Sequence, residues 1–444
     1  FKPQIKILPY GLTDRINRSK YGSMSFLIAI LVGVITLFIW ILNRMSIGIE
    51  PLMAIAKGSA LIGICLLSLT IILSLRLSLI ESLFGGLDVV YKAHHLIGQI
   101  AFAMIFLHPL FLLINSIQNL DLILFYFIPG KYMPYTIGTI SFLLLVILLF
   151  FTLLVNLPYK LWHFSHKFMG VALILSTWHA LISGTDINQY PILKVWIVLI
   201  AFIGIFSYFY MLFLYQLIGP KHKAFVKHVE TKGDITEIKF SVKKKFKFNP
   251  GQFVFIKFLN LEKSFEIFPF SISSSPNEDL VRISVKKSGD FTSYTLPKVS
   301  VGDPVFLYGP YGKFGEKVLF ENKDMIWIAG GIGVTPFLSM ITHEINRNID
   351  FFWACKGQKD AVYDDEIKNI SKVRNNINYR LWISTENGRL SAETIIKTIG
   401  ANDSIGEKLI FICGPNQMMM DIANQFVKIG VSPRNIIFED FNLL

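Results

Sequence analysis

Charge and cysteine are both scarce in this chain. Charged residues make up 17% of its 444 positions, and there are three cysteines, Cys65, Cys355 and Cys413. No two of them stand at the spacing of a zinc or iron–sulfur site. Cys65 falls inside an apolar run and reads as packing. Internal repeats and low-complexity segments are lacking. The net charge of +12 comes without an aromatic-basic module, so no nucleic acid is expected as a partner.

Apolar residues are abundant instead, at 52% of the chain, with a mean hydropathy of +0.51. They are unevenly spread. Up to about Gly219 the chain is a series of long apolar runs; beyond it come alternating strands, lysines, glycines and turns. Six runs, about 24–44, 52–74, 92–115, 134–156, 163–183 and 190–218, reach the roughly 20 residues a helix needs to cross a lipid bilayer. The first is too long for a cleavable signal peptide and lacks a small-residue cleavage site. The sequence opens on Phe1 rather than Met, which leaves room for an upstream piece. Lys2, Lys6, Arg15, Arg18 and Lys20 precede the first run, Arg76 and Lys92 flank the loop after the second, Lys160 lies between the fourth and fifth, and Lys221 and Lys223 follow the sixth. That distribution predicts a multi-pass protein of the cell membrane with both termini cytoplasmic. The expected fold is multi-domain: a cytoplasmic segment over 1–23, a six-helix transmembrane bundle over 24–219, an antiparallel β-barrel over 220–318 and an α/β nucleotide-binding domain over 319–444.

The histidines are out of place in segments this apolar, where polar groups are costly and usually functional. "YKAHHLIGQIAFAMIFLHPL" carries His94, His95 and His108, and "WHFSHKFMGVALILSTWHAL" carries His163, His166 and His179. Fourteen positions separate His94 from His108, which puts them within about 40° of one helix face and roughly 21 Å apart in rise. His166 to His179 is thirteen positions, about 140° out of phase on an ideal helix, so a bend or irregularity has to intervene. Four imidazoles on two helices at two depths can hold two haems, each iron between facing helices. His95 and His163 read as interfacial or hydrogen-bonding neighbours.

"HHLIGQIAFAMIFLH" and "HKFMGVALILSTWH" resemble the haem-binding helices of the NADPH oxidase and ferric reductase superfamily, in the form of a prokaryotic NADPH oxidase. The resemblance implies that His94 pairs with His166 around an inner b-type haem and His108 with His179 around an outer one. "IAKGSA" is similar to a family segment with a basic residue near the outer haem, which implicates Lys57, although a lysine here can also snorkel to the surface.

The C-terminal half begins with short alternating strands, "AFVKHVE", "ITEIKFSV", "QFVFIKFL", "LVRISVKK" and "PVFLYGP", spaced as in a small antiparallel barrel. "FPFSISSSP" (268–276) resembles the flavin motif of ferredoxin-reductase-like enzymes. It implies FAD contacts from Pro269, Phe270, Ser271 and Ser273, with Phe268 where the oxidases commonly carry His. "VKKSGDFTSYT" (285–295) resembles the segment that wraps the FAD pyrophosphate. Gly289 permits close approach, Thr292 offers a hydroxyl, and Lys287 offers either charge to a phosphate or a solvated strand lysine. "GPYGKF" (309–314) is similar to the family's closing turn.

"MIWIAGGIGVTPFLSMI" then reads as strand, glycine turn and helix, which presents backbone amides to a pyrophosphate. Gly330, Gly331 and Gly333 allow the approach, Thr335 starts the helix and Pro336 fits its first turn. The spacing resembles the pyridine-nucleotide motif of the same enzymes. By that resemblance Cys413, Gly414 and Pro415 of "IFICGPNQMMMDIANQF" lie at the nicotinamide, Lys356 and Arg389 meet the 2′-phosphate of NADPH, and Phe441 near the C-terminus covers the flavin ring. The resemblance implies transmembrane electron transfer from NADPH through FAD and two haems. The expected acceptor is O2, giving superoxide, with a ferric chelate, or another membrane protein fed with electrons, as alternatives. No calcium-binding loop or recruited-partner motif is present in the sequence, so constitutive activity without an obligatory protein partner is expected.

Overall fold

A computed structural model describes residues 20–44, 50–184, 186–244, 246–261, 266–400 and 404–438. Its N-terminal half is helical: α1 (Lys20–Arg44), α2 (Pro51–Ile72), α3 (Ser78–Phe84), α4 (Leu87–Ser116), α5 (Leu120–Phe127), α6 (Met133–Leu153), α7 (Tyr159–His166), α8 (Met169–Ile182) and α9 (Pro191–Ile218). Four of these, α2, α4, α6 and α9, are long and apolar enough to cross a membrane. The other two expected spans differ. The apolar part described in α1 is the shorter Phe26–Leu42, and the fifth span is broken into α7 and α8 at Lys167 and Phe168. That break falls between His166 and His179.

The central helix is α2. Ala56, Leu61, Ile64, Cys65, Leu66 and Leu67 are all buried, whereas Ile140, Leu143, Ile147 and Phe150 of α6 face outward. Outward apolar side chains are what a helix shows when its surroundings are lipid, because no water has to be displaced there.

The C-terminal half contains two sheets. The first is antiparallel, in the order β4-β3-β6-β1-β2-β5, with β1 Lys221–Lys232, β2 Ile235–Val242, β3 Phe253–Phe258, β4 Phe268–Ser271, β5 Val281–Lys286 and β6 Pro304–Tyr311. It curls until Ile272, just past β4, bridges to Ile283 in β5. The expected barrel is seen as a curled six-stranded antiparallel sheet whose two ends touch at one bridge, and it includes one strand, β4, that the alternation did not reveal. Inward residues such as Val226, Ile238, Phe240, Val254 and Ile256 make its core.

The second sheet is parallel, in the order β11-β10-β7-β8-β9, with β7 Met325–Gly330, β8 Ile349–Cys355, β9 Ile377–Ile383, β10 Leu409–Cys413 and β11 Ile436–Phe438. Its middle strands are buried on both faces, which explains why they read as continuous apolar runs. Helices α10 (Thr335–Ile341), α11 (Asp364–Val373), α12 (Ala392–Ile399) and α13 (Asn416–Lys428) connect the strands.

The helices and the first sheet share one apolar cluster. Leu73, Phe84, Leu87 and Val90 from the helical half pack in it with Phe253, Phe255, Tyr308 and Tyr311 from β3 and β6.

Candidate cofactor sites

The histidines face each other in pairs. The ring centres of His94 and His166 are 6.1 Å apart, and those of His108 and His179 are 6.4 Å apart. Iron bound by two imidazoles at about 2 Å each holds the ring centres about 6 Å apart, so both separations fit a haem iron between them. The ring nitrogens are also sorted. Nδ1 of His94 lies 2.7 Å from the Thr70 carbonyl oxygen, Nδ1 of His108 is 2.9 Å from that of Ala56, and Nδ1 of His179 is 2.8 Å from that of Pro134. A proton on Nδ1, donated to the carbonyl, leaves Nε2 as the ligating lone pair. His166 Nδ1 is buried without a hydrogen-bond partner, and its ring stacks on Trp162 at 5.3 Å. Gly138 makes room for the far pair: a Cβ there would sit 2.8 Å from the His179 ring. Among the described residues no group of three or more metal-ligating side chains converges. His95 is exposed and bonds Gln99 at 2.9 Å, apart from the pairs.

Lys57 is one residue from the carbonyl that orients His108. Its Nζ donates to Asp186 Oδ1 at 3.0 Å, and Trp40 Nε1 donates to Asp186 Oδ2 at 2.7 Å. The lysine is therefore held by a buried carboxylate and does not snorkel alone. Asp186 was not legible in the sequence, because it opens a four-residue helix, Asp186–Gln189, that carries no motif. Over the far pair stands an aromatic group: Tyr135 is 6.4 Å from the His179 ring and 4.9 Å from Tyr132, and Phe125 packs edge-on to Tyr135.

The flavin-motif residues lie on β4 and just past it. Phe268, Pro269 and Phe270 are half-buried, and Phe268 stacks on Phe291 with ring centres 3.7 Å apart. Ser271 is buried at the strand end. Ser273 is fully enclosed, and its hydroxyl bonds the Arg282 carbonyl oxygen at 3.2 Å and Ser284 Oγ at 3.0 Å. Its hydroxyl thus braces the strand from behind. Thr292 Oγ1 accepts from the amides of Ser288 at 2.9 Å and Gly289 at 3.0 Å, closing the loop beside exposed Lys287.

The structure brings the two nucleotide turns together. A Cβ on Gly333 would lie 2.4 Å from the Cys413 carbonyl oxygen and 2.7 Å from Gly414 Cα, and one on Gly330 would lie 2.9 Å from the Pro415 ring. They meet between β7 and β10, where the strand order reverses. That is the crevice in which open parallel sheets bind ligands. Gly331, at φ +54°, has open space on its Cβ side. Thr335 is buried, and its hydroxyl donates to the Ile332 carbonyl at 3.1 Å, while Pro336 occupies the first turn of α10. Lys356 and Arg389, both exposed, follow β8 and β9 on the same sheet edge, where the Thr385 amide donates to the Lys356 carbonyl at 3.2 Å. Cys355 is buried and burial pushes its thiol up to about 12, so it stays protonated and inert. Cys413 is buried at the end of β10. Phe441 lies outside the described residues.

A further set of residues, unread in the sequence, seats the first sheet on the helices. The buried Glu81 carboxylate on α3 accepts from the Gly312 amide at 2.6 Å. The Arg76 guanidinium lies 3.8 Å over the Phe255 ring, Tyr311 donates to the Arg76 carbonyl at 3.3 Å, and the Tyr311 and Tyr215 hydroxyls meet at 3.2 Å. Burial raises the Glu81 carboxyl above the usual range, and the Gly312 amide works against that rise. In the sequence Arg76 counted only as a topology charge.

A flavin-type antiparallel sheet, a parallel sheet with a dinucleotide crevice and apolar helices carrying paired histidines together define a membrane-bound NAD(P)H oxidoreductase. Family comparisons agree. Residues 59–177 match the ferric reductase like transmembrane component, 221–315 an FAD-binding domain and 327–424 an oxidoreductase NAD-binding domain. The chain thus has the NADPH oxidase/ferric reductase-like architecture of a ferric reductase like transmembrane component followed by FAD- and NAD-binding domains. Curated relatives include sulfhydrogenase 2 subunit gamma of Pyrococcus furiosus, 26% identical over 48% of this chain and 79% of the relative. Flavohemoprotein A of Dictyostelium discoideum is 29% identical over 44% of this chain and 53% of its own length. The chain thus matches about half the length of that flavohemoprotein. Among solved structures, the flavohem-like FAD/NAD-binding domain of a Vibrio cholerae nitric oxide dioxygenase is 22% identical, with a TM-score of 0.43, covering 49% of this chain and 97% of that one.

Proposed function

We propose that the chain carries electrons from NADPH on the cytoplasmic side, through FAD and two b-type haems in a six-span membrane domain, to O2 on the far side, forming superoxide. The observation that carries this reading is the two facing histidine pairs, with Nδ1 of His94, His108 and His179 turned to backbone carbonyls. Bound there, FAD would supply hydride acceptance and single-electron release, and two haem irons would supply a one-electron path across the bilayer. His94 and His166 hold the near iron, and His108 and His179 the far one. Pro269, Phe270 and Ser271 bed the flavin, while Gly289, Thr292 and Lys287 form the loop at its pyrophosphate. Gly330, Gly331, Gly333, Gly414 and Pro415 admit the nucleotide backbone, Cys413 lies beside the nicotinamide, and Phe441 covers the flavin ring until the nucleotide arrives. Lys57, anchored by Asp186, presents its ammonium at the far site as half of an ion pair.

Oxygen is favoured as acceptor on one ground. An iron held by two imidazoles would have no open position, so O2 and a ferric chelate alike would react beside the haem, and the surroundings of the far pair decide between them. The Tyr132–Tyr135–Phe125 group over the far pair favours a small apolar molecule over a bulky ferric chelate. The test compares oxygen consumption with ferric-chelate reduction by purified protein supplied with NADPH, with superoxide dismutase added. Superoxide-sensitive signal accounting for most of the turnover is expected. Chelate reduction that persists under anaerobic conditions at the same rate makes the protein a ferric reductase. Inactivity with both acceptors makes it an electron donor to another membrane protein.

NADPH is favoured over NADH because Lys356 and Arg389 have a use for the 2′-phosphate. Charge-assisted hydrogen bonds contribute about 1.5–3 kcal/mol each. Changing both residues to Ala is expected to raise the KM for NADPH by roughly tenfold or more, since about 1.4 kcal/mol is a factor of ten, and to leave the KM for NADH nearly unchanged. Equal wild-type use of the two nucleotides would refute the assignment.

A further inference from the structure

The boundary between the two sheets is crossed by a buried polar chain that begins at the flavin-motif strand. Arg282 on β5 is 8% exposed. Its Nη2 donates to the Ser273 carbonyl at 2.7 Å and to Glu366 Oε1 at 2.8 Å, and its Nη1 donates to Glu366 Oε2 at 3.1 Å. Glu366 is on α11, in the nucleotide-binding half, so one guanidinium grips the flavin motif and the other domain at once. A second strand of the same network runs beside it. Tyr363, at the start of α11, donates to Ser284 Oγ at 2.6 Å, and Ser284 Oγ meets Ser273 Oγ at 3.0 Å. Glu237 on β2 completes it, 3.4 Å from the Tyr363 hydroxyl and 3.8 Å from Arg282 Nη1.

We infer that Arg282, Glu366 and Tyr363 form a clamp that sets the position of the nucleotide domain relative to the flavin, making them positioning residues for hydride transfer. Each sheet has its own apolar core, one around Ile238 and Phe240 and one around Trp327 and Phe351, with Ile235 of β2 packed into the second. Apolar contact holds surfaces together without fixing an angle, because it is non-directional. A bidentate arginine–carboxylate pair fixes distance and orientation together. This one ends on the backbone of Ser273, in the flavin motif. Its other end is the helix reached directly from the Lys356 segment, so the clamp joins the two places where the reacting partners are held. The step it serves breaks the C–H bond at nicotinamide C4 and forms an N–H bond at flavin N5; the nucleotide is oxidised and the flavin reduced by the same two electrons, with no other reactant.

The test uses the purified full chain with its cofactors, and the variants Glu366→Ala, Glu366→Gln and Tyr363→Phe. Flavin bleaching by saturating NADPH is followed anaerobically per bound FAD, together with the nicotinamide–flavin charge-transfer absorbance. Hydrogen exchange of the segments containing 271–284 and 363–373 is measured without nucleotide. Because a misplacement of about 1 Å can slow a reaction roughly 100-fold, Glu366→Ala is expected to bleach at least about tenfold more slowly. Its charge-transfer band should weaken, both segments should lose protection, and its KM for NADPH should stay near wild type. Glu366→Gln, which keeps an acceptor, should recover part of the rate. Tyr363→Phe keeps the ring and should show a smaller defect of the same kind. Wild-type bleaching per FAD in both Glu366→Ala and Tyr363→Phe overturns the inference. So does a defect confined to FAD content or KM, which would mark the network as structural only. Because bleaching stops at the flavin, failure of the proposed haem path or acceptor would leave this result unchanged.

Discussion

Replacing His179 with Leu is expected to lower haem content from two per chain to one and to abolish electron delivery to the acceptor, while NADPH still reduces the flavin. His108→Leu should do the same, since the proposed far iron needs both imidazoles. Leucine leaves the Pro134 carbonyl without its imidazole partner, at a cost of about 1–3 kcal/mol for a buried unpaired group, so the protein is expected to fold with a modest loss of stability. His95→Leu is the control: its ring is exposed and bonded to Gln99, so haem content should not change. A pyridine haemochrome assay decides the matter. Two haems in the His179 variant, or fewer than about one in the wild type, would remove the di-haem path.

Gly333→Ala is expected to have the next largest effect. The new methyl would meet backbone, the Cys413 carbonyl oxygen at 2.4 Å and Gly414 Cα at 2.7 Å, and neither can turn aside as a side chain would. The two turns must part. Overpacking of this kind costs about 1–3 kcal/mol. If most of that falls on nucleotide binding, affinity drops roughly 5- to 150-fold, at about 1.4 kcal/mol per factor of ten. Flavin and haem should remain reducible by dithionite, because neither proposed pocket includes this turn. Stopped-flow reduction by NADPH, compared with dithionite, measures the difference; equal NADPH rates in variant and wild type would show that the turns do not form the nucleotide site.

The histidine spacing illustrates how far a linear pattern reaches. On one continuous helix, His94 and His108 share a face by arithmetic alone. His166 and His179 do not, and the sequence could only require an irregularity somewhere between them. The structure places it at Lys167 and Phe168, where the helix stops and restarts. A break of this kind depends on what packs around the segment, such as Tyr208 against Gly170, and no local signal announces it.

The sequence by itself determined the division into an apolar helical half and a strand-rich half, the histidine-bearing helices and the order of the flavin and nucleotide motifs. Each of these is local, written in hydropathy period, in glycine and proline placement or in a short motif. Tertiary structure alone decided that Lys57 meets Asp186, that Glu81 receives the Gly312 amide and that Arg282 grips Glu366. These partners lie 129, 231 and 84 positions apart, and each is an ordinary charged side chain or, at Gly312, a backbone amide in its own segment. It also turned Ser273, read from its motif as a flavin contact, inward to Ser284, because β5 closes behind it. An unmatched charge cannot remain buried, so the chain must supply it with a partner, but which residue serves is settled only when distant segments are packed against one another.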